Sequence, residues 1–567
     1  MTLLETLDSG VTDLLGQWNI YSTALATLLV ALVSYHLVLS GRDADVHPLL
    51  LARQTVPSTV RNPGESPVYR AHGAPHGMPL ATGLGVRDPD APKWSRGRDG
   101  DLRDVWRQAV ASSAVRGRFL TVHGSQNVVE HKLDDVTRQI NIVGRHLVDA
   151  GATKVAIYLP NSVELLVALF ACSFYTSLTP LLVPSDASND ELVSMLGASA
   201  ADAIIAAPGT FTLETVAKTL PSLRQIIWVV DPGNRHMDWN TAPDSVGSSS
   251  LKSDTWHDIV ANSHALIGTE LPPLDPNSQP HDVVTFWRTK AGQEAEVVRF
   301  SHANIVAGMA GQISAIPTRA RLSHSDLFLP AESLTDMYTL VATLVAIYSN
   351  ASVALNSVAG PTADLVLACQ GVAPTVVAAS SQALAKVHAE SMAKLGSALA
   401  KWSHRMATSS LASQGIFPST NLLSGCAAAA RPVLGSVPGK LRLILVAHRA
   451  GSSDAPLSTQ ALADLRVLTG ARIVQALLAA RVAGAVCQTA LFDYRIDPSP
   501  EGHFGPPTTS LEIFLRDKDG YKTTDDLIEG CIVARGPCVS GQEACIGIMG
   551  RIRHDLTLGY ICPNSSK

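Results

Sequence analysis

The residues best suited to bind a ligand lie in one polar loop, where Thr289, Lys290 and Gly292 follow the apolar run 283–287. A second short apolar run comes next, and Ser301 then provides a preferred residue type for the N-cap of a helix. Strand, loop and helix in this order hold phosphate in many proteins, because backbone N–H groups and a helix N-terminus favour anions. The spacing therefore indicates a nucleotide-binding loop.

Other residues of the same loop oppose phosphate binding. Glu294 and Glu296 would repel an anion, and Gly292 is the only glycine with which the loop's backbone could wrap around one. Two interpretations stay open: a degenerate nucleotide loop, or an ordinary turn between two strands.

A second group of potentially reactive or metal-binding residues consists of three cysteines spaced seven residues apart: Cys531, Cys538 and Cys545. The series is compatible with a metal site or with buried free thiols. The chain has only 8 cysteines, which is typical of proteins in a reducing compartment. No nucleophile-elbow or zinc-protease motif occurs in the sequence, so we predict no catalytic residues of those types.

Composition bounds the fold that must position these residues. The chain has 567 residues, of which 46% are hydrophobic and 16% charged, so it can build two or more domains or one large one. Its formal net charge of -5 argues against a nucleic-acid partner.

The N-terminal region carries a long uncharged stretch. After the tail 1–17, residues 18–40 contain no Asp, Glu, Lys or Arg. An uncharged, mainly apolar stretch of this length predicts a transmembrane helix that contacts membrane lipid. Arg42, Arg53 and Arg61 follow it, so the positive-inside rule places the rest of the chain in the cytosol. We expect a single-pass protein of the endoplasmic reticulum; the alternatives are a buried core helix or a cleaved signal.

The remainder divides into a linker over 41–100, rich in Pro, Gly, His and Arg, a folded body over 101–561, and the tail 562–567. In the body, amphipathic stretches alternate with short apolar runs. We predict helices at 133–147 and 163–175 and strands at 155–159, 178–183, 203–206 and 225–230. Alternating strands and helices imply an α/β fold with a mostly parallel sheet covered on both faces.

The stretch 133–209 resembles the first sub-domain of the adenylate-forming, or AMP-binding, superfamily, which includes acyl-CoA synthetases. Segments such as LFLPAESLTDMYTL, KLRLILVAHRAG and GHFGPPTTSLEIFL follow in the order of that family. The resemblance is greatest to long-chain fatty acyl-CoA synthetases and extends to Ile561. It implies mixed and parallel sheets flanked by helices, with ATP and magnesium as cofactors. Because so little sequence follows Ile561, we expect the family's C-terminal domain to be missing.

The resemblance also assigns sites. The family's phosphate-binding lysine is replaced by Ala295 or Glu296, and Arg481 stands where the family has the glutamate that holds Mg²⁺. A cation in that place reverses the charge of a metal ligand. His448 stands where the family has a glycine-rich loop beside the adenine, and Arg551 matches an arginine that contacts nucleotide. The nucleotide-binding residues implied in this way are Thr289, Lys290, Gly292, His448, Arg481 and Arg551.

Two details of these sites can be checked in a structure. Arg481 has two open orientations: into the ancestral cavity, where it would receive an anion, or outward to a surface acid. We expect His448 to lie on a partly exposed loop.

Three functions follow. The first is a membrane-anchored protein with a ligase-like fold and impaired or lost catalysis, which binds an acyl chain, a nucleotide or a protein partner. The second is an active long-chain fatty acid–CoA ligase, which converts ATP, fatty acid and CoA to acyl-CoA, AMP and pyrophosphate. The third is a membrane scaffold that retains the fold only as an interaction surface.

Overall fold

The computed structural model describes residues 12, 16, 18–40, 44–88, 91–92, 94–111, 116–124, 127–230, 251–263, 268–273, 278–288, 294–417, 428–497 and 502–561, with only the backbone of 35–40. Thr289, Lys290 and Gly292 lie outside the described residues.

The helices alternate with strands through most of the chain. They are α1 Ile20–Ser40, α2 Pro48–Ala52, α3 Leu102–Ala111, α4 Leu133–Asp149, α5 Val163–Phe174, α6 Asn189–Ser199, α7 Leu213–Thr219, α8 Trp256–Ala261, α9 His302–Ala315, α10 Met337–Tyr348, α11 Leu365–Ala368, α12 Ser381–Ala393, α13 Ala398–Gln414 and α14 Thr459–Thr469.

The strands are short. They are β1 Thr55–Pro57, β2 Tyr69–Ala71, β3 Phe119–His123, β4 Asn127–His131, β5 Lys154–Tyr158, β6 Thr179–Leu182, β7 Ala203–Ala206, β8 Gln225–Trp228, β9 Lys252–Thr255, β10 Val283–Trp287, β11 Glu296–Phe300, β12 Leu327–Pro330, β13 Ser352–Leu355, β14 Val376–Ser380, β15 Leu443–Arg449, β16 Arg472–Leu478, β17 Cys487–Gln488, β18 His503–Gly505, β19 Glu512–Arg516, β20 Glu529–Arg535, β21 Ala544–Ile552 and β22 Leu558–Tyr560.

These strands form three sheets. The first runs β11-β10-β6-β5-β7-β8-β9 and the second β17-β16-β15-β14-β12-β13-β3-β4. Both are parallel except for the antiparallel edge pairs β10–β11, β16–β17 and β3–β4. The third sheet, β1-β2-β19-β20-β21-β22-β18, is antiparallel. The predicted α/β class, with mixed and parallel sheets flanked by helices, is confirmed.

Local sequence explains the elements of the first sheet. The apolar runs β5, β7 and β8 are buried or nearly so, as expected for parallel strands covered on both faces. Helix α5 is apolar almost all round and almost every residue of it is buried, which is typical of a helix inside a core. Ser301 caps α9, since its side chain accepts from the N–H of Asn304, which confirms the predicted helix start.

The segment 41–100, which the sequence indicates as a linker, contributes two strands to the third sheet. Val56 of β1 lies opposite Arg70 of β2, and Tyr69 of β2 lies opposite Ile513 of β19. Each strand is three residues long, so neither shows an alternation that a sequence pattern could reveal. Their stability comes from pairing with a distant part of the chain.

Helix α1 occupies most of the span 18–40. Its described side chains are largely exposed, with Ile20, Leu25 and Leu29 between 59% and 79% exposed. Among the described residues, no helix combines the length and the apolar character needed to cross a membrane, so the predicted transmembrane helix is not supported.

The two parallel sheets meet at their carboxyl edges. Trp287 ends β10 of the first sheet, and Arg449 ends β15 of the second; the guanidinium carbon of Arg449 lies 4.0 Å from the centre of the Trp287 ring. Ligands of open α/β sheets bind at such an edge, because the loops that leave the strands converge there. The predicted loop after β10 starts at this point.

Candidate functional site

The strands on either side of the predicted phosphate loop are described, although its central residues are not. Strand β10 ends at Trp287, and β11 begins at Glu296 and runs antiparallel to it. Arg288, the first residue after β10, pairs with Asp186 and lies 3.7 Å from Glu191. The loop is thus bounded by an arginine that two acids neutralise.

Arg481 lies beside the far side of this loop. Its Nε donates to Oε1 of Glu296 at 2.7 Å, and its side chain is 55% exposed while that of Glu296 is 42% exposed. The Arg481 carbonyl accepts from the N–H of Ser540 at 2.8 Å, which fixes the backbone. Of the two orientations considered from sequence, the structure has the outward one, paired with a surface acid.

A second arginine contacts the near side of the loop. Arg449 stacks on Trp287, pairs with Asp336 at 2.7 Å through Nη1, and donates to the Arg288 carbonyl at 3.4 Å. Cation–π contact and ion pairing together hold the guanidinium in one place. Sequence analysis did not select Arg449, although a base in the segment VAHRAG, next to the position that the family fills with glycine, was a usable signal.

Glu332 is a buried acid at the same edge. It follows β12, is 4% exposed, and accepts a hydrogen bond from the N–H of Ser333 at 3.2 Å. Burial and the negative charge of Asp336 raise the pKa of Glu332 to about 8. At neutral pH its carboxyl group therefore holds a proton, which is a property of many functional acids.

The backbone around Glu332 is fixed by a residue from the first sheet. Asn161, which follows β5, donates to the carbonyls of Pro330 and Glu332 at 3.1 and 2.8 Å. Its Oδ1 accepts from the N–H of Leu334 at 2.8 Å. Sequence analysis missed this acid, but an acidic residue directly after an apolar strand, in LPAES, was a signal for it.

His448 lies on β15 and is only 1% exposed, so the prediction of a partly exposed loop position is wrong. Its Nδ1 is 3.1 Å from Oγ of Ser381, and its ring stacks on Phe504 at 5.4 Å, with Tyr560 at 6.0 Å. Burial lowers the pKa of His448 to about 4. The error arises because β15 pairs with β16 as far as Arg449, which continues the strand past the apolar run.

Arg551 belongs to the third sheet. It lies on β21 opposite Glu529 of β20, and its guanidinium nitrogens are 2.6 and 2.7 Å from Oε1 of Glu529. The side chain of Glu529 is 1% exposed, so the arginine neutralises a buried acid. Of the predicted residues, the structure therefore brings His448 and Arg481 towards the edge of the second sheet, whereas Arg551 has a structural partner of its own.

Among the described residues, this edge offers a proton donor and cations that already have partners. Arg449 and Arg481 each pair with an acid, and Glu332 carries a proton at neutral pH. Within the described ranges, no group of three or more His, Cys, Asp or Glu side chains could hold a metal ion. Asp336 and Glu296, two of the carboxylates described at this edge, are each paired with an arginine.

An apolar cavity of about 70 Å³ lies beneath helices α9 and α10. Its lining residues are mainly apolar and come from both helices, the loop after α9 and strand β15; they are Gln312, Ile313, Ile316, Arg321, Leu322, Ala342, Val345, Ser349 and Leu445. Gln312 is 2% exposed and donates to Oε1 of Gln488 at 3.0 Å, while its own Oε1 has no partner among the described residues. Mainly apolar walls with a few polar groups are a feature of small-molecule pockets, but about 70 Å³ is well below the ~300–1,000 Å³ of a drug-sized site, so only a short group fits.

Several solved structures share this fold. The anthranilate CoA ligase AuaEII in complex with anthranoyl-AMP is 14% identical, with a TM-score of 0.58 over 83% of this chain and 79% of that one. A long-chain-fatty-acid-CoA ligase from Archaeoglobus fulgidus is 13% identical, with a TM-score of 0.56 over 85% and 86%. An acyl-CoA synthetase from Brucella canis is 14% identical, with a TM-score of 0.56 over 82% and 76%. At such identities the likeness shows the fold alone.

No curated protein matches the sequence. The family model described as AMP-binding enzyme matches residues 131–541, which is most of the chain and contains the edge where Glu332, Arg449 and Arg481 lie. The superfamily that the sequence resemblance predicted is thereby confirmed, and the chain belongs to the family of AMP-binding enzymes.

Proposed function

We propose that this protein binds an acyl or related carboxylic ligand on the AMP-binding fold, and that its ability to form acyl-CoA is impaired or lost. The observation that carries the proposal is the ion pair between Arg481 and Glu296. The family resemblance places a magnesium-binding glutamate at Arg481 and assigns the phosphate-binding lysine to Ala295 or Glu296. Glu296 thus offers an acid where a base is expected, and the acid and the base pair with each other.

The exchange of charges argues against the chemistry of the family. ATP and magnesium are the family's cofactors. Transfer of AMP from ATP to the carboxylic acid needs positive charge near the phosphates and a carboxylate that binds the metal. A guanidinium at the metal ligand repels Mg²⁺, and a carboxylate in the loop repels phosphate. Because the two groups neutralise each other, neither change leaves an unpaired charge in the folded protein.

The packing around His448 gives independent support. Its imidazole fills space between Ser381, Phe504 and Tyr560, at a position where the resemblance implies a glycine-rich loop beside adenine. A glycine leaves room for a ligand, whereas an imidazole in contact with two aromatic rings occupies it. We therefore propose that adenine binding is weakened at the same time as phosphate binding.

The apolar cavity supports retention of an organic ligand. A volume of about 70 Å³ exceeds the ~10–15 Å³ that a single water requires by the same measure, so the cavity has room for a short apolar group. Gln312 presents an amide with an unsatisfied oxygen, which can accept from a hydroxyl or from a protonated carboxylic acid. Acyl and aryl carboxylic acids combine these two features.

Two measurements on the purified full-length protein test the proposal. Acyl-CoA formation from ATP, CoA and a panel of fatty and aromatic acids should be undetectable or very slow, since each lost charge-stabilising group commonly costs ~10²–10³ in rate. The same acids should raise the melting temperature without ATP or Mg²⁺. Ala342→Leu, which fills the cavity, should abolish that shift, and its melting temperature without ligand shows whether it still folds.

The outcomes separate the candidate functions. Ordinary ligase turnover would refute the loss of catalysis and favour an active acyl-CoA ligase. Absence of both turnover and any ligand-induced shift would favour a scaffold that keeps the fold as an interaction surface for a protein partner.

We also propose that α1 attaches the protein to a membrane, with the body in the cytosol and the endoplasmic reticulum as the expected organelle. Support comes from the apolar side chains that α1 exposes, among them Leu25, Leu29 and Leu32. Protease treatment of sealed microsomes tests the orientation: digestion of the body supports it, and protection of the body refutes it.

A further inference from the structure

Two cysteines lie in contact across neighbouring strands of the third sheet. Cys531 is on β20 and Cys545 is on β21, and their Sγ atoms are 3.0 Å apart. Cys531 is 2% exposed, whereas Cys545 is exposed to solvent. The pair thus combines a thiol that a small solute can reach with a buried thiol that touches it.

A β-bulge creates this contact. Cys531 lies opposite Met549 and Val533 lies opposite Cys545, so residues 546–548 of β21 face only Ile532 of β20. Gly547 sits in the bulge with a φ of 80°, a left-handed conformation that favours glycine. A regular register from Met549 would place Cys545 opposite residue 535, four positions from Cys531. The bulge reduces the offset to two positions, and residues two apart lie on the same face of a strand.

We propose that Cys531 and Cys545 are an oxidative modification site, at which a hydroperoxide closes a reversible intramolecular disulfide. The proposal is independent of any ligand of the AMP-binding fold. The sulfur atoms need to approach each other by about 1 Å to reach the 2.03–2.05 Å of a disulfide bond. A movement of that size is within the reach of side-chain rotation beside a bulge.

The reaction balances with hydrogen peroxide as the oxidant. The thiol of Cys545 ionises and releases its proton. The thiolate attacks one peroxide oxygen, the O–O bond breaks and Cys545 becomes a sulfenic acid; the leaving hydroxide takes up the released proton to become water. Cys531 then attacks the sulfenic sulfur of Cys545, the S–S bond forms, the S–O bond breaks, and a second water leaves with the proton of Cys531. The two thiols together lose two electrons, which the peroxide gains.

Cys538 provides a matched control within the same segment. It is fully buried, and its thiol is hydrogen-bonded to Ser510 rather than to another cysteine. Burial raises the pKa of the Cys538 thiol to about 12, which leaves it almost entirely unreactive as a nucleophile near neutral pH. It shares the spacing of the other two cysteines but lacks both the exposure of Cys545 and a contact with another thiol among the described residues.

Peptide mapping tests the proposal on the folded full-length protein. After mild hydrogen peroxide and thiol blocking, trypsin should yield peptide 523–535, which contains Cys531, joined to peptide 536–551, which contains both Cys538 and Cys545. The joined peptide should weigh two hydrogens less than the sum and should disappear after dithiothreitol. It should persist in Cys538→Ser and be lost in Cys545→Ser.

A third variant distinguishes the order of events. In Cys531→Ser the sulfenic acid on Cys545 has no thiol to attack it, so labelling of Cys545 with dimedone should rise several-fold over wild type. Oxidation of Cys545 to sulfinic acid in wild type with Cys531 still free would overturn the proposal. So would a joined peptide that survives Cys545→Ser but is lost in Cys538→Ser, or no reaction of Cys545 at all.

Discussion

Arg481 and Glu296 form an ion pair that joins the segment after β16 to the first residue of β11, with Nε and Oε1 2.7 Å apart. Both side chains are about half exposed, so solvent screens the attraction. A double-mutant cycle with Arg481→Ala and Glu296→Ala should give a coupling of only ~0.2–1 kcal/mol in the free energy of unfolding. A coupling energy well above that range would show that the pair stabilises the fold, and the pair would then no longer support a change of ligand chemistry at the site.

The same pair predicts the response to anions. Glu296→Gln removes the partner of Arg481 and leaves its charge available, so AMP or inorganic phosphate should bind several-fold more tightly than to wild type, without a requirement for Mg²⁺. Glu296→Gln with Arg481→Gln should abolish the gain. Calorimetry on wild type and the two variants measures this, and equal affinities in all three would place anion binding elsewhere.

Glu332 predicts a change of stability on the alkaline side. Its pKa is raised from 4.5 to about 8 by burial and by Asp336, so the folded state retains a proton that the unfolded state releases. The stability that comes from the neutral acid is complete below about pH 4.5 and is lost as the pH rises through 8.

Glu332→Gln keeps the shape of the side chain but does not ionise. The variant and wild type should therefore be equally stable near pH 4.5. Above that pH the variant should gain relative to wild type by up to about 1.4 kcal/mol per pH unit, until about pH 8. Urea unfolding at a series of pH values checks this, and a difference that does not depend on pH would contradict it.

Asp464 predicts a loss of stability on the acid side of the pH range. It accepts hydrogen bonds from Nε2 of His388 at 3.2 Å and of His404 at 2.9 Å, and so joins α12, α13 and α14. Burial alone opposes ionisation of Asp464, but the hydrogen bonds from His388 and His404 outweigh it and lower the pKa from 3.8 to about 2. The stabilisation is therefore present above about pH 3.8 and is lost as the pH falls through 2.

Asp464→Asn should reduce the free energy of unfolding by about 2 kcal/mol at pH 7. The difference from wild type should shrink as the pH falls from 4 to 2. Gln460→Leu removes a weaker donor to the same carboxylate, at 3.0 Å, and should cost less. If the free energy of unfolding falls equally with decreasing pH in wild type and Asp464→Asn, the carboxylate does not titrate as described.

Membrane attachment through α1 can be tested with charged substitutions. Leu29 and Leu32 are 59% and 61% exposed, so their replacement should not disturb the body. Leu29→Arg with Leu32→Arg should shift the protein from the membrane to the soluble fraction, since the substitutions replace exposed apolar surface that would contact lipid with charge. The same two positions changed to Ala provide the control. Equal membrane fractions for both double variants would remove α1 as the anchor.

The sequence was sufficient for the features that short-range chemistry determines. Ser301 caps α9 because its hydroxyl accepts a hydrogen bond from the N–H three residues later. The buried strands from β5 to β8 follow from apolar runs bounded by turns. The resemblance of several segments to the AMP-binding family, in the order of that family, then predicted the fold, and the family model confirms the family.

The features that the sequence did not reveal depend on distant partners. His448 packs against Phe504 and Tyr560, which lie more than 50 residues later, and the backbone of Glu332 is held by Asn161, which follows β5. Arg481 turns outward because Glu296, 185 residues earlier, lies within reach. No local pattern encodes these distances, so residue types and spacing alone could not select between the two orientations of Arg481.

The pairing of β1 and β2 with the third sheet has a consequence for the order of events during synthesis. Tyr69 lies opposite Ile513, and Gln54 donates to Asp493, a residue 439 positions away. Domains begin to fold as they leave the ribosome, but β1 and β2, which pair with each other, have no partner in the rest of the third sheet until β19 has been made. They should thus be the last elements to acquire protection from hydrogen exchange during refolding, because contacts of such sequence separation close slowly. Until then, the strands are accessible to proteases and chaperones.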